Sequence, residues 1–213
     1  MGQRCKCLIV DDHPIFRKGV RDLLVEESVC TSVVESGSTA EALSLVRREP
    51  WDLVLLDIAL PDRHGLEALK SIKRLRPSLP VLVLSLYPER EFALRALKGG
   101  ASGYLTKDRP PDELLKAVTE AIAGRRYVTA SFADQLADAV SGGQPEQLHD
   151  ALSDRELEVL RLLGQGKGMS VIARDLSLSV KTVSTYRSRL LGKLHLATTG
   201  QLVRYAIEHG LIA

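Results

Sequence analysis

The sequence predicts an α/β domain on a five-stranded parallel sheet with helices on both faces, followed by a small all-α domain of four helices. Three observations carry that expectation. Five short apolar runs alternate with five helical patterns through residue 124, the signature of a βα repeat. From Leu152 onward the periodicity is helical throughout. Between them, "SGGQPEQLHD" at residues 141–150 has the composition of a flexible connection. The expected boundaries are therefore 1–124 for the first domain, 125–150 for a linker and 151–213 for the second domain. Within the linker, a short helix is expected over Ser131–Val140.

The strands are expected at Cys5–Val10, Ser32–Val34, Leu53–Leu56, Val81–Leu84 and Gly103–Leu105. Helices are expected at Pro14–Glu26, Thr39–Arg48, Leu66–Leu75, Arg90–Lys98 and Pro111–Ala123. Pro14 and Pro111 suit a first helical turn, whose N–H groups have no partner inside the helix. Gly99-Gly100 and Gly124 suit helix ends. Runs such as "LVLL" are apolar on both strand faces, as in a parallel sheet covered on both sides.

In the second domain, Ser153 and Glu156 form a capping box ahead of Leu157, Leu160 and Leu163 on one helical face. Gly164, Gly166 and Gly168 end that helix. A short helix over Ser170–Leu176 follows, then a turn through "SLS". Ser179 can cap the longer "VKTVSTYRSRLLGKL", and a last helix spans Gly200–His209 and stops at Gly210. Short helix, tight turn and longer basic helix form a helix-turn-helix unit.

Composition narrows the function classes. The chain has 213 residues, 45% hydrophobic and 26% charged, ordinary for a globular protein. It carries no apolar run of membrane-spanning length and no signal-peptide pattern, so a cytoplasmic protein without a membrane partner is expected. Three cysteines make no disulfide framework. Cys5 and Cys7 read as small buried hydrophobes rather than zinc ligands, because no His or fourth thiol completes a zinc spacing. Residues 1–124 balance 18 Lys+Arg against 18 Asp+Glu, whereas residues 151–213 hold 9 against 5. No acid falls between Asp175 and Glu208. Such local positive charge fits nucleic-acid binding, although a solvated basic face would count the same.

In parallel sheets functional groups gather at the carboxyl ends of the strands. Asp11 and Asp12 follow the first strand, Asp57 ends the third, Ser85 ends the fourth and Lys107 follows the fifth. Crowded carboxylates repel, and an all-oxygen set of few ligands completed by water suits Mg²⁺. Asp57 is then compensated by a metal and by Lys107. One aspartate at a strand end is usually a cap or turn residue, but that reading does not place five such groups on one edge. A metal-dependent phosphatase is a rival reading of the acids. It lacks an aspartate-x-aspartate signature at Asp57-Ile58-Ala59, and no dinucleotide glycine fingerprint follows the first strand.

The motifs "LIVDDHP", "DLVLLDIALPD", "HGLEAL", "VLVLSLY" and "GASGYLTKD" resemble, in order and spacing, the flavodoxin-like receiver domain of two-component signalling. "LSDRELEVLRLLGQG", "IARDLSLSVKTVSTYRSRLLGKL" and "LVRYAIEHGLI" resemble the LuxR-type helix-turn-helix domain. Together they identify the chain as similar to NarL/FixJ-family response regulators. That resemblance implies Asp57 as phosphoacceptor, with Mg²⁺ held by Asp12 and Asp57, by Asp11 mostly through water, and by the Ala59 backbone oxygen. It implies that Ser85 and Lys107 meet the phosphoryl group and that Tyr104 is an aromatic switch. On the recognition helix, Ser184, Thr185 and Ser188 would read bases. Lys181, Thr182, Tyr186, Arg187, Arg189 and Lys193 would lie towards DNA, several of them at phosphates. The stripe Leu202, Tyr205, Ala206 and Ile207 is expected to be partly core, with Leu202, Tyr205 and Ala206 pairing two DNA-bound copies. The implied partners are a sensor histidine kinase, double-stranded DNA, a second copy of the chain on phosphorylation or DNA binding, and RNA polymerase. The alternative is a receiver-containing regulator that works without phosphorylation. His64, Asp108 after Lys107, Ala59 and "GKGMSVIA" depart from the usual family pattern.

Overall fold

The computed structural model describes residues 5–134 and 147–212. The chain divides into two compact units, Met1–Gly142 and Gly143–Ala213. In the first, β1 (Lys6–Val10), α1 (Pro14–Glu26), β2 (Ser32–Ser36), α2 (Thr39–Arg48), β3 (Leu53–Asp57) and α3 (Gly65–Leu75) lead on to the other half. That half consists of β4 (Val81–Ser85), α4 (Glu89–Lys98), β5 (Gly103–Thr106) and α5 (Pro111–Ile122). The strands pair in parallel in the order β2-β1-β3-β4-β5. The doubly wound architecture expected from the βα alternation is the one observed, and the order reverses between β1 and β3.

Alternation along the strands sorts two cores. Cys7 and Ile9 of β1, with Leu53 and Leu55 of β3, pack with Val20 and Leu24 of α1 and Ala117, Val118 and Ala121 of α5. Leu8, Val10, Val54 and Leu56 are equally buried and, being one residue out of phase, face the opposite layer. All three cysteines are free and buried; Cys5 Sγ lies 2.9 Å from Cys30 Sγ, and although that contact lowers the Cys30 thiol, contact with Cys7 and burial outweigh it and push the thiol up to about 12. They are core residues, as the sequence suggested.

Residues 127–132 belong to this body. Tyr127 N donates to Ser102 O at 2.8 Å, and Phe132 is buried. Residues 130–134 are helical; the remainder of the helix expected over Ser131–Val140 lies outside the described residues.

The second unit opens with a 3₁₀ turn, Leu148–Ala151, followed by α6 (Asp154–Gly164), α7 (Met169–Asp175), α8 (Val180–Lys193) and α9 (Thr199–Glu208). The capping box forms as expected: Glu156 N donates to Ser153 Oγ and Ser153 N to Glu156 Oε2. Ser179 Oγ caps α8 by accepting from Thr182 N at 3.0 Å. A second capping box, Thr198 with Gln201, starts α9. The tight turn between α7 and α8 passes through Ser177 at φ 52°, a left-handed position, with Leu178 N bonded back to Ala173 O at 2.7 Å. Leu160, Leu163, Ile172, Val183, Leu190, Leu194 and Leu202 are among the buried apolar residues.

Candidate functional site

The acidic edge follows from strand phase. Ile9 pairs with Leu55 and Val10 with Leu56, so the next positions, Asp11 and Asp57, stand opposite each other. Both continue the face of Ile9 and Leu55. Leu84 pairs with Asp57 and Ser85 with Thr106, which carries Ser85 and Lys107 to the same edge. Lys107 N donates to Ser85 O at 2.8 Å, fixing the backbone from which the lysine reaches back.

Lys107 Nζ lies 2.6 Å from Asp11 Oδ2 and 2.7 Å from Asp57 Oδ2, and none of these three side chains is more than 5% exposed. Asp57 Oδ1 accepts from Ala59 N at 3.1 Å. Burial pushes the Asp57 carboxyl above its usual range; Lys107 opposes that shift and the Asp11 charge adds to it. Asp12 is the outer acid, about a third exposed, with Oδ1 2.7 Å from His13 Nδ1. Candidate ligand atoms of Asp11, Asp12, His13 and Asp57 all lie within 4.8 Å of one another. Three carboxylates against one ammonium leave a surplus of negative charge. Their oxygens form a set that fits a hard divalent cation such as Mg²⁺.

Ser85 is fully buried, and its hydroxyl accepts from Tyr87 N at 3.0 Å. Tyr104 is buried and donates its hydroxyl to Tyr87 O at 2.8 Å. Gly65 opens α3 hard against the acidic strand: a Cβ there would lie 2.0 Å from Asp57 O and 2.6 Å from Ile58 Cα. His64, one of the departures from the family pattern, caps α3 by accepting from Leu66 N at 3.2 Å.

Three residues at this edge had no role in the sequence reading. His13 donates its backbone N–H to Asp11 Oδ1 at 2.8 Å while its ring meets both acids. Arg17 reaches back to Asp11 O and pairs with Glu35 at 3.1 Å. Asp62 accepts from Thr39 N at 3.0 Å and Ala40 N at 2.9 Å, tying the loop after β3 to the start of α2. Only "DDHP" carried a visible signal, because histidine beside two aspartates is a composition cue. The other two bind backbone groups that the fold alone brings near.

On α8, Lys181, Thr185, Ser188 and Arg189 are exposed, whereas Thr182, Ser184, Tyr186 and Arg187 are half-buried. Thr185 Oγ1 donates to Lys181 O at 3.0 Å and Ser188 Oγ to Ser184 O at 3.1 Å. Arg187 Nε donates to Thr199 Oγ1 at 2.6 Å, which holds its head towards α9. Lys193 pairs at 2.7 Å with Glu156 of the α6 capping box. The stripe expected to pair two copies needs correction. Leu202 and Ala206 are fully buried, and a Cβ on Gly164 of α6 would lie 2.8 Å from Ala206 Cβ. They are core; of the three, only Tyr205 reaches the surface, with its hydroxyl 3.0 Å from His149 Nδ1.

Family models match both units: "Response regulator receiver domain" over residues 7–119 and "Bacterial regulatory proteins, luxR family" over residues 150–206. The chain belongs to the two-component response regulators. It is 33% identical over 210 residues to the response regulator GacA of Pseudomonas aeruginosa, covering 97% of each chain. It is also 33% identical to UvrY of Escherichia coli, covering 96% of this chain and 94% of that one. Among solved structures it is similar to RcsB of Salmonella enterica serovar Typhimurium, bound to a promoter in the presence of a phosphomimetic. There the TM-score is 0.60 at 26% identity, covering 95% of this chain and 98% of that one. The protein is thus a transcriptional regulator of the NarL/FixJ type, a receiver followed by a LuxR-type DNA-binding domain.

Proposed function

We propose that this response regulator accepts a phosphoryl group on Asp57 from a sensor histidine kinase in the cytoplasm. The phosphoryl group then governs how α8 meets double-stranded DNA and how two copies assemble there. The observation that carries this reading is the buried Asp57 carboxylate, held with Asp11 by one ammonium at the point where strand order reverses. An Asp57 oxygen attacks phosphorus, the bond to the donor imidazole breaks, and the departing imidazole takes up a proton. Lys107 lies within reach of the new phosphoryl oxygens, and the Ser85 hydroxyl is the second partner. Asp11, Asp12, Asp57 and the Ala59 backbone oxygen are the groups that would hold Mg²⁺, which when bound supplies charge stabilisation to the transferring oxygens. Tyr104 of β5, hydrogen-bonded to Tyr87 O in the loop after β4, would couple that edge to the surface beyond it.

On DNA, Lys181 and Arg189 would meet phosphates, with Thr182, Tyr186 and Arg187 beside them. Ser184, Thr185 and Ser188 would read base edges. Thr185 and Ser188 spend their O–H groups on backbone carbonyls, so they would offer lone pairs to the amino groups of adenine or cytosine. Lys193, held by Glu156, is the weakest of the DNA positions. The test is a phosphate-affinity gel after incubation with acetyl phosphate and Mg²⁺. The wild-type chain shifts and Asp57→Asn does not; labelling of Asp57→Asn overturns the assignment.

A further inference from the structure

The Lys107 ammonium has a third neighbour besides Asp11 and Asp57. Its Nζ sits 4.7 Å from the centroid of the Phe16 ring, on the first turns of α1. The ammonium donates a hydrogen bond to Asp57 Oδ2 at 2.7 Å and makes an ion pair with Asp11 Oδ2 at 2.6 Å. The ring face supplies a third surface that is negative, apolar and without a proton of its own. Lys107 is only 5% exposed, so the aromatic face stands where water would otherwise solvate the charge.

Phe16 is itself braced. It is half-buried, packs against the α1–α5 core, and lines a cavity of about 500 Å³ with Val20, Leu105 and Leu114. Pro14 at the first helical position sets the start of α1 and therefore the height of the ring beside the lysine. The lysine stem is long and rotamer-rich, and holding it extended across the strand ends costs side-chain entropy. A ring that attracts the charge but forms no directed hydrogen bond lets the head shift by a fraction of an ångström without losing its third contact.

We propose that Phe16 is a positioning residue for phosphoryl transfer. It holds the Lys107 ammonium against Asp57 and leaves it free to slide from carboxylate to phosphoryl oxygen. The inference rests on Asp57 as phosphoacceptor, and its test separates the two. Full-length chains carrying Phe16→Leu, Phe16→Tyr, or pentafluorophenylalanine at position 16 are phosphorylated with acetyl phosphate and Mg²⁺, and the rate is followed on phosphate-affinity gels. Phe16→Leu and the fluorinated ring, whose face is no longer negative, are expected to slow labelling roughly 3- to 10-fold, and Phe16→Tyr to recover most of the rate. In a Lys107→Met background the same Phe16 changes are expected to have no further effect. Thermal melts of each variant report any general loss of packing. Equal rates for the wild-type and fluorinated rings, or a Phe16→Leu effect that persists without the lysine, would overturn the role and leave Phe16 a core residue. Labelling of Asp57→Asn, run alongside, would instead remove the phosphoacceptor reading itself.

Discussion

The two working surfaces of this regulator hold their charges in opposite ways. At the sheet edge Asp11, Asp57 and Lys107 are buried against one another, each at most 5% exposed. On α8, Lys181 and Arg189 stand in solvent, and between them the Thr185 and Ser188 hydroxyls are satisfied within their own helix. A buried charge must be compensated by the fold that buries it, so the chain itself specifies the receiver edge. An exposed basic helix is completed only by its partner. The receiver edge should therefore be sensitive to small steric and electrostatic changes, and the α8 face should respond mainly through DNA.

The largest expected effect is steric. Gly65→Ala puts a methyl group 2.0 Å from Asp57 O, where backbone and not a flexible side chain must yield. A destabilisation of about 3 kcal/mol is expected, with loss of phosphorylation because the Asp57 strand end moves. Denaturant melts and acetyl phosphate labelling check both. A Gly65→Ala chain of wild-type stability would show the edge to be looser than its contacts imply.

On α8 the corresponding change acts through the partner. Lys181→Ala or Arg189→Ala is expected to weaken binding to every DNA sequence by about tenfold near 0.1 M salt. Each should flatten the log–log salt dependence by about one unit. Lys193→Ala should leave that slope unchanged, because its ammonium is committed to Glu156, and the lost pair should cost less than about 1 kcal/mol. Titrations at several salt concentrations separate them. A slope change for Lys193→Ala matching that for Lys181→Ala would extend the DNA face to the end of α8.

Electrostatics at the buried edge also predict a pH dependence. Burial raises the Asp57 carboxyl above its unfolded value near 3.8, despite Lys107. The folded state therefore holds the proton to higher pH than the unfolded state does. As pH rises from about 4 through the raised value, this group progressively lowers stability. Asp57→Asn should remove that penalty while Asp11 still pairs with Lys107. Tm at pH 7 is expected to rise, with the gain shrinking towards pH 4. An unchanged or lower Tm at pH 7 would mean that the lysine contact outweighs burial.

How much was legible in the chain follows the same division. The positions of Asp11 and Asp57 could be read because a period of two and a parallel sheet leave little freedom at strand ends. All ten expected elements of the first unit and the four helices of the second are present, with ends shifted by one or two residues. The roles of Arg17 and Asp62 could not be read, since each meets backbone groups brought near only by folding. Leu202 and Ala206 misled for another reason. An apolar stripe on a helix looks the same whether it faces a core or a partner, and here Gly164 lets the α9 backbone come close enough to bury it.

The smallest expected effect tests the exposed face at its quietest position. Gly192 lies inside α8, and a methyl group there would meet nothing within 4 Å, unlike one at Gly65. Alanine in a helix interior is favoured over glycine by roughly 0.5–1 kcal/mol, because glycine loses more backbone freedom on folding. Gly192→Ala should therefore raise the stability of the DNA-binding domain by about that amount. Gly192 also continues the helical row of Lys181, Thr185 and Ser188, at spacings of four, three and four residues. Recognition helices present mainly their N-terminal residues to base edges, so the row should leave the groove before reaching residue 192. The DNA affinity of Gly192→Ala should then stay within about twofold of wild type. If stability rises as expected but affinity falls tenfold, the helix lies in the groove along its whole length and the glycine is there to let the DNA backbone pass.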